Sequence, residues 1–166
     1  MPNRDDVNVL GTMTLALSRV IADYPPRGAS EQAVAINLPQ PLVSEQAYRR
    51  IARDVEREFG VDRPVSPLGT VNAGLPVYHI AAVRIRTNRA EIDVLRPVFG
   101  PGAVDRPELT NDLAYEGYTV RLSGGFKPWQ VTWVDRFSPG IIPTPPLNFI
   151  DRPTETVEPE ETPDGG

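Results

Sequence analysis

The chain of 166 residues contains no cysteine. That absence excludes disulfide bonds, thiolate nucleophiles and metal sites with cysteine ligands. No apolar run approaches the roughly 18 residues that a membrane-spanning helix requires. Asp5 and Asp6 precede the first apolar stretch, where a secretory signal would be basic. We therefore expect a cytoplasmic protein with no membrane segment.

Residues that commonly carry chemistry are also scarce. Histidine occurs once, at His79, which disfavours a histidine-rich metal site. The chain has no GxSxG motif, no HExxH motif and no glycine loop followed by Lys-Ser or Lys-Thr. The sequence identifies no catalytic residue, no metal ligand and no cofactor site. It favours a non-enzyme without excluding an enzyme.

Charge is unevenly distributed along the chain. Residues 151–166 hold six acids and one base, so residues 1–150 hold sixteen acids and sixteen bases. This neutral body argues against a general nucleic-acid surface. Arginine accounts for every basic residue except Lys127, and the arginines are scattered. Because the arginines are not clustered, their predominance over lysine indicates a coding bias and not selection for bidentate contacts with anions.

Two segments have the apolar periodicity of α-helices. Residues 5–23 repeat apolar side chains at intervals of three or four. Residues 44–59 do the same, with Ser44 as a suitable N-cap and Gly60 as the expected stop. The apolar stripe of this second helix ends at Phe59, and arginines alternate with carboxylates on its other side. That alternation is typical of a solvated face.

Several further segments have the composition of β-strands. Residues 34–38 alternate and are followed by prolines, so we expect a short strand at an edge of the sheet. Residues 61–76, rich in proline and glycine, predict a loop. Beyond them, β-branched and aromatic residues alternate in four segments that predict two hairpins. The segments are residues 77–87, 90–98, 115–123 and 129–137.

The first hairpin contains VRIRTNRAEIDV, residues 83–94, whose arginines could bind phosphate or pair within the hairpin. A two-residue turn at Asn88 and Arg89 places Arg84 opposite Asp93 and each apolar residue opposite another. Opposite charges across strands stabilise such a pairing by about 0.2–1 kcal/mol each. We therefore expect the strand arginines to be neutralised by carboxylates of the same hairpin.

Four side chains are candidates for a ligand pocket. In an unbroken strand the odd-numbered residues 77–85 share one face, which directs His79 towards the second helix. The same alternation places Tyr118 on one side with Trp129 and Trp133. These residues either fill the core or line a pocket with His79 as a general base. Burial should in either case lower the pKa of His79 below about 6.5.

The composition changes twice near the C-terminus. Residues 138–150 mix prolines with large apolar residues, which predicts an extended strap packed on the body. Residues 151–166 are acidic and have Val157 as their only aliphatic side chain, which predicts disorder. We expect a single domain, residues 1–150, and a tail. The domain divides into a helix and edge strand (1–43), a long helix (44–60), two hairpins (77–137) and the strap.

This order of elements predicts an α+β fold, with two helices packed on one face of an antiparallel sheet of four to five strands. It resembles cystatin-like and nuclear-transport-factor-like folds, in which a helix lies on an open curved antiparallel sheet. The resemblance is one of element order alone and implies no particular function.

The sequence leaves different classes of function open. The first is a non-catalytic protein–protein interaction or a structural role in a larger assembly, and self-association into a homo-oligomer is compatible with it. The alternative is a small-molecule-binding domain or small enzyme with its pocket around His79, Trp129 and Trp133. A weaker third is nucleic-acid binding through Arg89, Arg96 and the helix of residues 44–59. We expect a protein partner, no membrane and no nucleic acid.

Overall fold

The computed structural model describes residues 7–26, 33–39, 44–72, 74–98 and 114–151. Within these ranges the chain forms two α-helices, a short 3₁₀ turn and six strands. The helices are α1 (Val7–Asp23) and α2 (Glu45–Arg57), and the 3₁₀ turn is Thr70–Asn72. The strands are β1 (Val34–Asn37), β2 (Val65–Pro67), β3 (Val77–Ile85), β4 (Arg89–Pro97), β5 (Tyr115–Ser123) and β6 (Gln130–Phe137).

The strands form one mixed sheet in the order β2-β1-β3-β4-β5-β6. β1 pairs in parallel with both β2 and β3, and β3 to β6 follow as an antiparallel meander. The α+β fold is confirmed, but the prediction of four to five antiparallel strands holds only for the meander. β1 is internal, not at an edge, because residues 61–76, predicted as a loop, contribute β2. The parallel β1–α2–β2 unit also departs from the antiparallel folds that the element order resembles.

Both helices pack on one face of the sheet, as the sequence predicts. Ser44 caps α2, since its hydroxyl accepts a hydrogen bond from the Ala47 N–H at 3.2 Å. The apolar side of α2, which includes Ile51, is buried against the core. α2 ends at Arg57, so Phe59 lies beyond the helix and is fully exposed. The prediction that Phe59 continues the apolar stripe is therefore wrong.

Two single-residue bulges interrupt the alternation of the meander. The register between β3 and β4 shifts between Ile80 and Ala82, which leaves Ala81 as an extra residue. A similar shift between β5 and β6 leaves Thr132 as an extra residue in β6. Side chains of a strand alternate between the two faces of the sheet. An extra residue therefore reverses which face the odd- and even-numbered residues occupy on one side of the bulge. Predictions that assumed unbroken alternation fail at both places.

The turn between β3 and β4 lies one residue before its predicted position, which shifts the pairing of the two strands by two residues. Thr87 and Asn88 occupy it, and Arg84 stands directly opposite Glu91 instead of Asp93. A slip of two residues keeps every side chain on its predicted face. Arg84 still reaches Asp93 with two hydrogen bonds of 2.9 and 3.0 Å, so the charge pairing is confirmed although the register is not.

The strap, residues 138–150, lies across the face of the sheet opposite the helices. The side chain of Asn37 in β1 holds it. Its Oδ1 accepts a hydrogen bond from the Asn148 N–H at 2.7 Å, and its Nδ2 donates to the Pro146 carbonyl at 2.9 Å. The Tyr48 hydroxyl of α2 lies 2.9 Å from the Asn148 carbonyl oxygen. The strap is thus bound by side chains of the body, which suits a segment whose prolines lack N–H groups.

Two apolar side chains of the strap, Ile142 and Phe149, cover small clusters of buried residues on this second face. Gly117 in β5 allows the close approach, because a Cβ atom there would lie 2.7 Å from the Ile142 Cδ1. The sheet therefore has apolar packing on both faces over β1 and β3.

The two edges of the sheet differ. Along β2, the Glu56 carboxylate accepts the Val65 N–H at 3.0 Å. Pro67 has no N–H, and its carbonyl accepts a hydrogen bond from the Asn72 side chain at 3.1 Å. β6 has no strand on its outer side in the described ranges. One edge is therefore blocked, and the other is unpaired in the part of the chain that the structure describes.

Candidate functional site

The four residues that the sequence singles out do not meet in one pocket. Tyr118 and Trp129 lie on the side of the sheet that faces the helices. His79 and Trp133 lie on the opposite side, because the bulges at Ala81 and Thr132 change the facing of their strands. The prediction that His79 faces α2 is wrong for this reason.

His79 is completely buried beneath the strap. Its Nδ1 lies 3.0 Å from the Asn37 amide nitrogen, which has only protons to offer, so Nδ1 accepts and Nε2 carries the ring proton. The ring meets that of Tyr115 edge-on, with 4.7 Å between centroids. Burial lowers the pKa of His79 to about 3, in the predicted direction. The ring is therefore an enclosed, neutral imidazole at neutral pH.

Tyr118 belongs to a buried cluster centred on Glu116. The carboxylate accepts hydrogen bonds from Arg96 at 2.9 Å, from Arg136 at 2.9 Å and from the Tyr118 hydroxyl. Burial raises the pKa of Glu116, but these three donors outweigh it, and the pKa lies below its ordinary value. The Tyr24 ring, just after α1, lies 4.4 Å from the Tyr118 ring. The charge of Glu116 is thus balanced by residues of its own cluster, and the contact between Tyr118 and Tyr24 fixes the sheet to the end of α1.

The two tryptophans have separate environments. The Trp129 indole N–H donates to the Asn8 side chain of α1 at 3.0 Å. Trp133 is 63% exposed on the other face, and its indole N–H donates to Asp135 at 2.8 Å. Of the two, Trp129 is the one that borders a hollow next to the helices.

That hollow is a groove along the outer side of α1, between α2 and Trp129. Its volume is about 690 Å³, and its floor includes Leu10 and Leu15 of α1 and Ile51 of α2. A second hollow of about 540 Å³ continues it towards the end of α1 and shares Leu15, Glu58 and Trp129 with it. We call the combined surface the α1 groove.

Gly11 lies in the floor of the α1 groove. A Cβ atom at this position would meet no other atom within 4 Å, and the residue has no positive φ. Neither the packing nor the backbone of the described chain therefore requires glycine here. Glycine in a helix interior costs about 1 kcal/mol relative to alanine. Because glycine has no side chain, the backbone of a second polypeptide could come closest to α1 at this position.

The rim of the α1 groove is charged and comes from α2. Arg50, Arg53 and Arg57 line it together with Asp54 and Glu58. Arg50 pairs with Asp54 at 3.8 Å. Arg53 and Arg57 are exposed and make no hydrogen bond or ion pair with any residue that the structure describes. Their guanidinium groups are free to receive carboxylates of a bound molecule.

Sequence reasoning missed the α1 groove, although one signal was present. The α1 sequence, VNVLGTMTLALSRVIAD, has Arg19 and Asp23 as its only charged residues. A helix that packs one face on a sheet normally carries charges on the face that meets water. A helix without them indicates that its outer side is also a contact surface.

The described ranges contain no group of three or more histidine, aspartate or glutamate side chains that could hold a metal ion. Neither α1 nor α2 is long and apolar enough to cross a bilayer. Comparisons of the chain with protein-family models, with curated proteins and with solved structures gave no match.

Proposed function

We propose that this chain is a non-catalytic protein-interaction component that binds an acidic, partly apolar polypeptide segment in the α1 groove. The observation that carries the proposal is the groove itself: about 690 Å³, with an apolar floor and with two arginines on its rim that lack partners in the described chain. The proposal assigns no covalent step to any residue.

The floor of the groove supports a polypeptide ligand. Leu15 presents partly exposed aliphatic surface, and the buried side chains of Leu10 and Ile51 lie behind it. Trp129 forms a wall held in place by its hydrogen bond to Asn8. Burying apolar surface contributes about 25 cal/mol per Å². Tryptophan side chains that are fixed before binding are frequent anchors of protein interfaces.

The rim sets the charge of the ligand. Arg53 and Arg57 lie one helical turn apart on α2, and both point towards the groove that they line. A ligand with two carboxylates at matching spacing would satisfy both guanidinium groups. Glu58 opposes this at one end of the groove, so the attraction is local to Arg53 and Arg57.

The alternative function, a small-molecule pocket or enzyme around His79, has less support. Its residues are divided between the two faces of the sheet, and His79 is sealed beneath the strap. Tyr118 is engaged by Glu116. Of the four residues, Trp129 is the one that lines the α1 groove.

A titration with a defined peptide tests the proposal. The probe is a synthetic helix with leucines along one face and glutamates along the other, added to the ¹⁵N-labelled full chain. We expect shifts of the amide signals of Gly11, Leu15 and Arg53. Gly11→Leu should fill the groove and weaken binding about tenfold or more, which corresponds to about 1.4 kcal/mol.

Gly11→Ala is the matched control. It should weaken binding less than Gly11→Leu, because it adds a single methyl group, and raise the free energy of unfolding by about 0.8 kcal/mol, because alanine favours the helix. Gly11→Leu also improves helix propensity, so thermal unfolding of both variants shows whether lost binding reflects a lost fold. Unchanged affinity in Gly11→Leu, or shifts confined to another surface, would exclude the α1 groove as the binding site.

A further inference from the structure

The α1 groove has a second candidate occupant within this chain. We infer that the C-terminal segment, residues 152–166, docks in the α1 groove and competes there with the partner. The inference rests on the proposed function, because it assigns regulation to the same binding surface.

The place where the described chain ends supports this occupant. Asp151 is fixed beside the 3₁₀ turn, where its carboxylate accepts the Thr70 N–H at 3.0 Å and the Thr70 hydroxyl at 2.6 Å. Three residues earlier, the Asn148 carbonyl lies 2.9 Å from the hydroxyl of Tyr48, in the first turns of α2. Ala47, next to Tyr48, lines the α1 groove. The chain just before the segment is therefore bound to Tyr48 of α2, whose neighbour Ala47 lines the groove.

The segment is long enough to follow the groove. Its fifteen residues span up to about 50 Å when extended, whereas the thirteen residues of α2 span about 20 Å. Docking needs only part of the segment. A tail that enters the groove beside Ala47 would run towards Arg57.

The charges of the segment match the rim. Residues 152–166 carry five acids and one base, whereas the rest of the chain is almost neutral. Arg53 and Arg57 are about 6 Å apart along the helix axis. Residues two apart in an extended proline-rich chain, such as Glu158 and Glu160, are also about 6 Å apart. One carboxylate can therefore meet each unpartnered guanidinium group.

The segment also offers modest apolar contact. Val157 and the ring of Pro159 lie between the acids and can face the floor of the groove and Trp129. So little apolar surface predicts weak docking that depends on charge. A weak tethered occupant still competes, because its effective concentration at the groove is on the order of millimolar. A partner with more apolar side chains would displace it.

Paramagnetic relaxation on the full chain tests the inference. Since the chain has no cysteine, Pro163→Cys introduces a single thiol for a spin label and keeps every acid. We expect the label to broaden the amide signals of Gly11, Leu15 and Arg53, and added salt to reverse the broadening. Broadening that is absent, or that is spread evenly over the surface, would overturn the inference.

Charge variants in the labelled chain sharpen the test. Arg53→Gln together with Arg57→Gln should remove the broadening, and Arg49→Gln, on the same helix but outside the groove, should keep it. Glu58→Gln removes the opposing carboxylate and should strengthen the broadening. If the double variant behaves like Arg49→Gln, the rim does not hold the tail and the inference fails.

The synthetic leucine–glutamate peptide separates this inference from the proposed function. In a full chain with Glu155, Glu158, Glu160 and Glu161 changed to glutamine, the peptide should bind about threefold or more tightly, because competition is relieved. Equal affinity in both chains refutes competition by the tail and leaves the proposed function standing. An absence of binding to the glutamine variant refutes the proposed function itself.

Discussion

Three of the buried titratable side chains of the sheet, His79, Glu116 and Tyr118, are accommodated in different ways. His79 is neutral, because burial disfavours its charged form and the Asn37 amide nitrogen beside it can only donate. Glu116 stays charged because two guanidinium groups and a hydroxyl point at it. Tyr118 stays protonated, since burial and its bond to Glu116 both raise its pKa. Each protonation state therefore follows from the groups that surround the residue.

His79 should make stability depend on pH. Its folded pKa of about 3 lies below the unfolded value of about 6.5, so the unfolded chain binds the proton more readily. Its contribution is complete above pH 6.5 and falls by about 1.4 kcal/mol per pH unit below it, until the folded pKa is reached. Chemical unfolding from about pH 7 to about pH 5 measures the slope, which His79→Gln should reduce. An imidazole NMR signal that titrates near its ordinary pKa would contradict the burial of the ring.

Glu116→Gln should destabilise the protein by about 2 kcal/mol, because it removes the charge that accepts hydrogen bonds from the buried Arg96 and the half-exposed Arg136. The matched control is Glu91→Gln, since the Glu91 side chain is 41% exposed and pairs with Arg84 near water. That change should cost less than about 1 kcal/mol. Urea unfolding of both variants makes the comparison. Equal effects would mean that the Glu116 cluster does not stabilise the fold.

At the level of secondary-structure elements, the sequence predicted both helices and the four strands of the meander. These segments are long and periodic, so their patterns are clear. β2 was missed because it has only three residues and ends in Pro67. The parallel pairing of β1 had a signal in AVAINL, a nearly continuous apolar run that is typical of a strand buried on both faces.

The sequence could not predict on which face of the sheet His79 and Trp133 lie, because one extra residue in a strand reverses the facing of the residues on one side of it. Ala81 and Thr132 sit in ordinary strand sequence, and nothing local marks them as bulges. One extra residue in each strand was enough to place His79 and Trp133 on the face opposite to the expected one. Hairpin pairing was more robust, because the error of two residues preserved the faces.

The pairing of Arg84 with Asp93 should be measurable as a coupling energy. Two hydrogen bonds join the side chains, and the bond to Asp93 raises the pKa of Arg84. Because Arg84 is about half exposed, we expect a coupling of up to about 1 kcal/mol in a double-mutant cycle with alanine at both positions. Additive effects of the two substitutions would show that the pair makes no net contribution.

For the molecule as a whole, paired charges and net charge lie in different parts of the chain. The sheet carries its charges as matched pairs, such as those of Arg84 and Arg121, while the net charge belongs to the C-terminal segment. The predicted disorder of residues 151–166 falls outside the described residues except for Asp151, which is fixed by Thr70. The division between body and tail is thus better drawn after Asp151.

A chain that ends at Asp151 should be less soluble than the full chain near neutral pH. It would retain seventeen acids and sixteen bases, a net charge of −1, and a protein near zero net charge associates more readily. Its melting temperature should change by only a few degrees, because the contacts of Asp151 are kept. Precipitation by ammonium sulfate and thermal unfolding measure the two quantities. Equal solubility would assign no solubilising role to the tail.

The unequal edges of the sheet limit how copies of this chain can associate through backbone hydrogen bonds. With β2 closed by Glu56, Pro67 and Asn72, β6 is the one strand of the described sheet that can receive another. Pairing of β6 with β6 of a second copy would use that edge in both molecules at once. The product would be a closed dimer with two-fold symmetry, which offers no free strand to a third copy. Association through strand edges would thus stop at the dimer because of geometry alone, without any need for charged residues to repel further chains.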